Sequence, residues 1–289
     1  MSKVLIVESG SSKADWLLLE NGVSKLSFQT KGWNPLFMTQ EEMQVRFQSY
    51  HDLKGFYKSI DQVCFYAPGC SHEESRIVLR DALVHVFVNA LVEVESDLLA
   101  AARSVYKGDA LFVSILGTGS NTAFYDGEVL EEFTPSLGYI LGDEGSGAAL
   151  GKRLLVDYLY KNLPNDLYSE FSKIHSISKE LVLSSVYKQE NPNRFLASYV
   201  PFLVAHKSHP RVIELVKSEF QNYLDAHLIS NPMCREFPIA FVGSVAFYFQ
   251  EVLKELCLQN DLSMSEVIQS PIHHLEEYHR RKIDRNKTR

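Results

Sequence analysis

Apolar residues at the start of the chain come in short runs and alternations, the pattern of strands. Residues 3–7 form a brief run rich in branched side chains, the length of a buried strand. The same character resumes over residues 14–19, after the small and polar stretch Glu8-Ser9-Gly10-Ser11-Ser12-Lys13. It returns as an alternation over residues 24–30, past the turn Glu20-Asn21-Gly22. These three runs predict an antiparallel meander. Pro35 pushes Asn34 out of helical geometry, so Lys31-Gly32-Trp33-Asn34-Pro35 reads as a loop. Thr39 with Glu42 three positions on opens a helix over residues 40–50, and residues 62–66 form a fourth strand. Ser71 with Glu74 repeats the capping pattern and opens a helix to about residue 89. A fifth strand over residues 91–95 and an alanine-rich helix over 97–106 follow. The order β-β-β-α-β-α-β-α is a meander followed by two crossover units.

The pattern then begins again. Residues 110–116, 121–125 and 129–133 predict a second meander, its first hairpin turning through Gly117-Thr118-Gly119-Ser120. Helices are expected at 147–160, 194–205 and 211–228, with one or two more in 165–187. A strand over 237–242, a helix over 244–258 and a short strand over 266–269 complete this half. The boundary falls near Tyr106-Lys107-Gly108-Asp109. It separates a first domain, residues 1–107, from a second, residues 108–271, that carries a helical insertion. A C-terminal helix over about 272–289 is expected to pack back on the first domain, its basic end solvated. Direct repetition between the halves is weak, so duplication is an expectation about structure alone.

Composition narrows the function classes. The 289 residues are 45% hydrophobic and 22% charged, enough to bury the core of two ordinary domains. A formal charge of −7 argues against nucleic acid as the partner, while leaving open a small anion that answers to local field. No apolar window reaches membrane-spanning length, and residues 1–20 lack a secretory leader. Cys64, Cys70, Cys234 and Cys257 show no metal-like spacing and read as free thiols of a reducing cytoplasm.

The candidate chemistry lies in the two hairpin tips. Residues 9–13 and 116–121 both offer backbone N–H groups and small hydroxyls, a combination suited to phosphate. Neither is a Walker-type loop, because no Gly-x-x-x-x-Gly-Lys-Ser/Thr exists. Gly117-x-Gly119 lacks the third glycine of a dinucleotide fingerprint and leads into a strand.

Four motifs together resemble the actin, Hsp70 and sugar kinase superfamily. Val7-Glu8-Ser9-Gly10-Ser11-Ser12-Lys13-Ala14-Asp15-Trp16 is similar to its first phosphate loop, and Leu116-Gly117-Thr118-Gly119-Ser120-Asn121 to its second. Phe241-Val242-Gly243-Ser244-Val245-Ala246 resembles the adenosine loop, and Gly142-Asp143-Glu144-Gly145-Ser146-Gly147 completes the set. The likeness is strongest to the N-acetylglucosamine kinase branch, whose family includes the ATPase activators of benzoyl-CoA reductase and 2-hydroxyglutaryl-CoA dehydratase. It implies an α/β fold of two ribonuclease H-like (actin-like ATPase) domains, each with a mixed five-stranded sheet, and ATP in the interdomain cleft.

By the same resemblance, Asp97 matches the catalytic base, although an aspartate opening an alanine-rich helix equally suits an N-cap. Asn34 matches a sugar-contacting position, although a turn residue before proline is the alternative. Asp143 matches a sugar- or phosphate-side carboxylate, with the N-cap region of the helix over 147–160 as its alternative. Ser120 sits where it could touch sugar or phosphate. Gly10, Ser11, Ser12, Lys13, Gly117, Thr118, Gly119, Asn121, Gly243 and Ser244 fall on the nucleotide. Glu8 stands where the first loop usually carries Asp, and either carboxylate can hold a magnesium-bound water. The implied activity is transfer of phosphate from ATP, with Mg2+, to the 6-hydroxyl of N-acetylglucosamine. N-acetylmannosamine, N-acetylmuramic acid, glucosamine and glucose remain open, and similar kinases often pair as homodimers. Two other readings stand beside this one. An activator ATPase would need closely placed cysteines for an iron–sulfur cluster, for which Cys64 and Cys70 are the near pair. A sugar sensor would bind without turnover.

Overall fold

The computed structural model describes residues 2–287. The chain folds as two compact units, one formed up to Lys107 and from Ser270 onward, the other by Gly108–Gln269.

The first unit runs β1 (Lys3–Ser9), β2 (Lys13–Glu20), β3 (Val23–Lys31), α1 (Gln40–Gln48), β4 (Gln62–Ala67), α2 (Glu73–Val86), β5 (Leu91–Ser96) and α3 (Asp97–Val105). Its sheet has the order β3-β2-β1-β4-β5, antiparallel through the meander and parallel from β1 to β4 to β5. Six consecutive residues of β1 are buried, as expected of a central strand covered on both faces. Leu5 and Val7 point into an aromatic core with Trp16, Trp33, Phe47 and Phe65, closed by α1 and α2. Val4 and Ile6 point the other way, against Ala100 of α3 and Ile272 and Leu275 of the C-terminal helix Ile272–Lys287. The last two positions expected in that helix, 288 and 289, lie outside the described residues.

The two capping motifs behave differently. Thr39 and Glu42 form the reciprocal pair, each side chain accepting the other's backbone N–H at 3.2 and 2.8 Å. Ser71 and Glu74 do not. α2 starts at Glu73 with His72 in the cap position and no side-chain cap, because a left-handed turn at Gly69 and the burial of Cys70 intervene.

The second unit runs β6 (Leu111–Leu116), β7 (Ser120–Tyr125), β8 (Leu130–Glu131), α4 (Gly138–Leu141), α5 (Gly147–Leu159), α6 (Asn165–Ile174), α7 (Lys179–Tyr187), α8 (Pro192–Ala197), α9 (Val200–Ala205), α10 (Pro210–Leu224), β9 (Ile239–Val242), α11 (Ser244–Tyr248), α12 (Gln250–Gln259) and β10 (Met264–Ile268). The sheet order β10-β9-β6-β7-β8, read from β8, repeats the first sheet strand for strand and sense for sense. Helices α5 to α10 fill the interval between β8 and β9.

Three expected elements are cut short here. The helix over 194–205 breaks into α8 and α9, since Pro201 has no N–H to give the preceding turn. The helix over 244–258 breaks at Phe249, whose φ of −112° and ψ of 25° leave the helical region. The strand over 129–133 is reduced to two residues.

Candidate functional site

In the first unit the hairpin ladder closes at Ser9 and Ala14, and Gly10 N–H donates to Lys13 O at 2.8 Å. The phosphate-loop candidate is therefore tighter than the sequence suggests. Glu8 and Ser9 belong to the strand, and only Gly10, Ser11 and Ser12 make the tip. One consequence is electrostatic: Glu8 stands directly opposite Asp15 across the ladder, where like charges repel. Both are buried, at 9% and 6% exposure. Asp15 is answered by Lys13 Nζ at 2.9 Å and by the Gln29 amide, which donates to its Oδ1 at 2.5 Å. Among the described residues Glu8 has no comparable ion pair, and Lys13 is its one opposing charge. Burial pushes its carboxyl up to about 8, Asp15 and Asp97 push in the same direction, and Lys13 opposes them.

Asp97 enters this cluster from the end of β5. Ser96 is the N-cap of α3, its Oγ accepting Leu99 N–H at 3.1 Å. The capping role thus belongs to the neighbouring serine, and Asp97 is the first helical residue, half-buried. Its Oδ1 accepts Leu98 N–H at 2.9 Å. Sequence reading left Asp15 out of the site. The alternation of β2 would have placed it opposite Glu8 once the turn was counted as starting at Gly10.

The loop bearing Asn34 is locked to the hairpin. Trp33 N–H donates to Ser9 Oγ at 2.8 Å, and Ser9 Oγ donates back to Trp33 O at 3.2 Å. The Trp33 ring stacks on Phe47 at 4.2 Å, and the Arg46 guanidinium lies 4.2 Å from its centroid. Arg46 also donates to Lys31 O and Gly32 O at 2.5 and 3.1 Å. A Cβ on Gly32 would come within 2.2 Å of Gly10 O, so only glycine lets the two loops touch. Asn34 spends its Oδ1 on Leu36 N–H at 3.0 Å, capping a 3-10 turn at Pro35–Phe37.

In the second unit three segments meet at the end of β6. The Gly117–Gly119 turn closes with a Gly117 N–H to Gly119 O bond of 3.0 Å. The start of α5 docks on it: Gly147 N–H donates to Gly117 O at 2.8 Å and Ala148 N–H to Thr118 O at 3.0 Å. Ser146 caps that helix through Ala149 N–H at 3.2 Å, so Asp143 is not the cap. Asp143 instead accepts Ser120 N–H at 3.2 Å, and a Cβ on Gly119 would lie 3.1 Å from its carboxylate. It is 8% exposed with φ of 57°, an uncommon left-handed aspartate. Burial raises its pKa, Ser120 N–H lowers it, Glu144 raises it, and His227 and Lys152 lower it. Gly243, with φ of 124°, completes the group, since a Cβ there would fall 2.3 Å from Leu116 O.

Ser120 is buried, its Oγ without a partner, and Ser244 is exposed at the start of α11. Asn121 points elsewhere than its neighbours, its amide donating to Glu132 at 3.1 Å. Glu144 and His227 were not foreseen, although His227 Nε2 lies 3.3 Å from Glu144 Oε2.

All four cysteines are free and buried. Cys64 packs with the face under the C-terminal helix and Cys70 in the opposite, aromatic core, and burial pushes both thiols up to about 12. Thiols on opposite faces of one sheet cannot share a cluster. No described helix is long and apolar enough to cross a membrane.

No established family profile matches the chain, and no curated protein does. Solved structures do. A candidate N-acetylglucosamine kinase from Porphyromonas gingivalis is 35% identical with a TM-score of 0.90, over 96% of this chain and 99% of that one. A second candidate N-acetylglucosamine kinase, from Chromobacterium violaceum, is 15% identical at a TM-score of 0.62, over 96% and 99%. A ROK family glucokinase from Streptomyces griseus, in complex with glucose and AMPPNP, is 13% identical at 0.58, over 96% and 98%. The latter two speak for the fold alone. The first, at its identity over nearly the whole of both chains, shows that this protein belongs to the N-acetylglucosamine kinase family of ATP-dependent sugar kinases, within the actin-like superfamily.

Proposed function

We propose that the protein transfers the γ-phosphoryl group of ATP to the 6-hydroxyl of N-acetylglucosamine, with Asp97 as the base. The observation that carries the reading is the position of Asp97. It is relieved of capping by Ser96, half-buried, and set in a carboxylate cluster beside a glycine hairpin tip. Asp97 accepts the hydroxyl proton as O6 bonds to phosphorus and ADP leaves. Gly10, Ser11, Ser12 and Lys13 on one hairpin, and Gly117, Thr118 and Gly119 on the other, are assigned to the phosphates. Gly243 and Ser244 are assigned to the adenosine. Asn34 keeps its amide N–H groups for a sugar hydroxyl, since its oxygen is spent on Leu36, and Asp143 and Ser120 are assigned to the sugar. Asn121 is the weakest member, given its bond to Glu132.

Glu8 fits a magnesium ion held through water. It is a buried carboxyl with two like-charged neighbours and one opposing lysine, so a divalent cation would relieve an existing imbalance. When bound, magnesium would supply positive charge against the charge that develops on the phosphates. The reading includes a cytoplasmic location, in keeping with four free thiols. An ADP-release assay over N-acetylglucosamine, N-acetylmannosamine, N-acetylmuramic acid, glucosamine and glucose tests it. The highest kcat/KM is expected with N-acetylglucosamine. Absence of stimulation by every sugar would remove the kinase reading, and a clear preference for another sugar would remove only the acceptor.

A further inference from the structure

We infer that His227 is a positioning residue for the sugar side of this site, holding through Glu144 the turn that aims Asp143. The inference rests on the reading of Asp143 as a sugar-side carboxylate. That turn needs outside support. Asp143 and Gly145 both adopt left-handed φ angles, 57° and 69°, and such backbone persists only where its surroundings hold it.

The support comes from the end of α10. Tyr223 is fully buried beneath Gly145, where an added Cβ would approach its own Cβ to 2.9 Å. The Tyr223 hydroxyl bonds Thr122 Oγ1, which meets Ser114 Oγ at 3.3 Å, on the same hairpin that presents Ser120. The His227 ring stacks on Tyr223 at 5.0 Å and 28°. Its Nε2 reaches Glu144, next in the chain to Asp143. A carboxylate only accepts, so Nε2 is the donor in this bond, while the buried Nδ1 has no partner among the described residues. His227 sits at 5% exposure on a single π turn, Asp225–Ile229, a local unwinding that recurs at functional sites. Neither substrate need touch it. Its contribution is to fix where the Asp143 carboxylate stands.

His227→Phe keeps a flat ring on Tyr223 and removes the donor, whereas His227→Gln restores an N–H. With steady-state kinetics on the full chain, His227→Phe should lower sugar kcat/KM by about tenfold or more, from loss of a charge-assisted bond and misplacement of Asp143. KM for ATP should stay within about twofold, and His227→Gln should recover most of the loss. Glu144→Ala should give the same sugar-selective loss, and the double variant should be no worse than either single one, because both remove one contact. Unchanged sugar kinetics in His227→Phe, equal losses for sugar and ATP, or additive losses in the double variant would overturn the inference. If His227→Phe does not fold, the half-buried Glu144→Ala decides alone, and unchanged sugar kinetics there overturns it. Asp143→Asn run in parallel separates the two levels. If it too leaves sugar kinetics intact, the site reading has failed; if only it impairs them, the positioning role has.

Discussion

Replacing Glu8 by Gln keeps the shape of the side chain and removes its charge from a strand position where that charge is poorly matched. The free carboxyl would titrate near 4.5, and in the fold it is pushed up to about 8, first by burial, then by Asp15 and Asp97, against Lys13. At about 1.36 kcal/mol per pH unit, that rise corresponds to about 5 kcal/mol as an upper bound. The sign follows from which state holds the proton. Below about pH 4.5 Glu8 is protonated whether the chain is folded or not, and the fold is not penalised. As the pH rises towards 8 the unfolded chain releases the proton while the fold retains it, so stability is lost across that window and no further above it. Glu8→Gln has no such slope from this position. In magnesium-free thermal unfolding, the variant should match the wild type at about pH 4.5 and exceed it at about pH 8 by up to on the order of 10 °C. Its turnover should fall nonetheless, a gain in stability at the expense of activity. A melting difference that is flat with pH, or that grows towards acid, would refute the argument.

Asp97→Asn should preserve the bond to Leu98 N–H and the Ser96 cap, and so leave KM for sugar nearly unchanged while kcat falls by at least about a hundredfold. Near-normal turnover would remove Asp97 as the base. Gly243→Ala forces a side chain into a φ of 124° and against Leu116 O, so it should destabilise the second unit by at least about 2 kcal/mol in urea unfolding. It should also raise KM for ATP more than KM for sugar, and the reverse order would detach Gly243 from the nucleotide.

What was legible in the sequence follows from the range over which each signal acts. Strand alternation and turn residues are local, and the two meanders, with Gly117–Gly119 and Gly10–Ser12 at their tips, follow from them. The matching order of the two sheets is implicit in the repeated β-β-β-α-β pattern, although few residues repeat. Capping marks the limit of such signals. Thr39–Glu42 and Ser71–Glu74 read alike, yet the second fails because Gly69 and Cys70 set where the chain turns, outside the motif. Helix breaks at Phe249, and the shortening of β8 to two residues, are likewise decided by packing.

The site shows the same division. Asp97 and Asp143 were each open to being read as helix caps, and in both places a serine takes that role, Ser96 for α3 and Ser146 for α5. Each carboxylate accepts a different backbone N–H, that of Leu98 for Asp97 and of Ser120 for Asp143. A serine in cap position is a sign that a sequence reading could weigh. Asp15 was within reach, since hairpin register alone sets it against Glu8. His227 was not. It meets Glu144 across 83 residues and through a π turn, and no periodicity links the two. The residues proposed for the chemistry sit at the end of β5, for Asp97, and in the turn before α5, for Asp143, where local pattern finds them. The residue proposed to hold Asp143 in place, His227, arrives from the helical insertion, where only the fold brings it near.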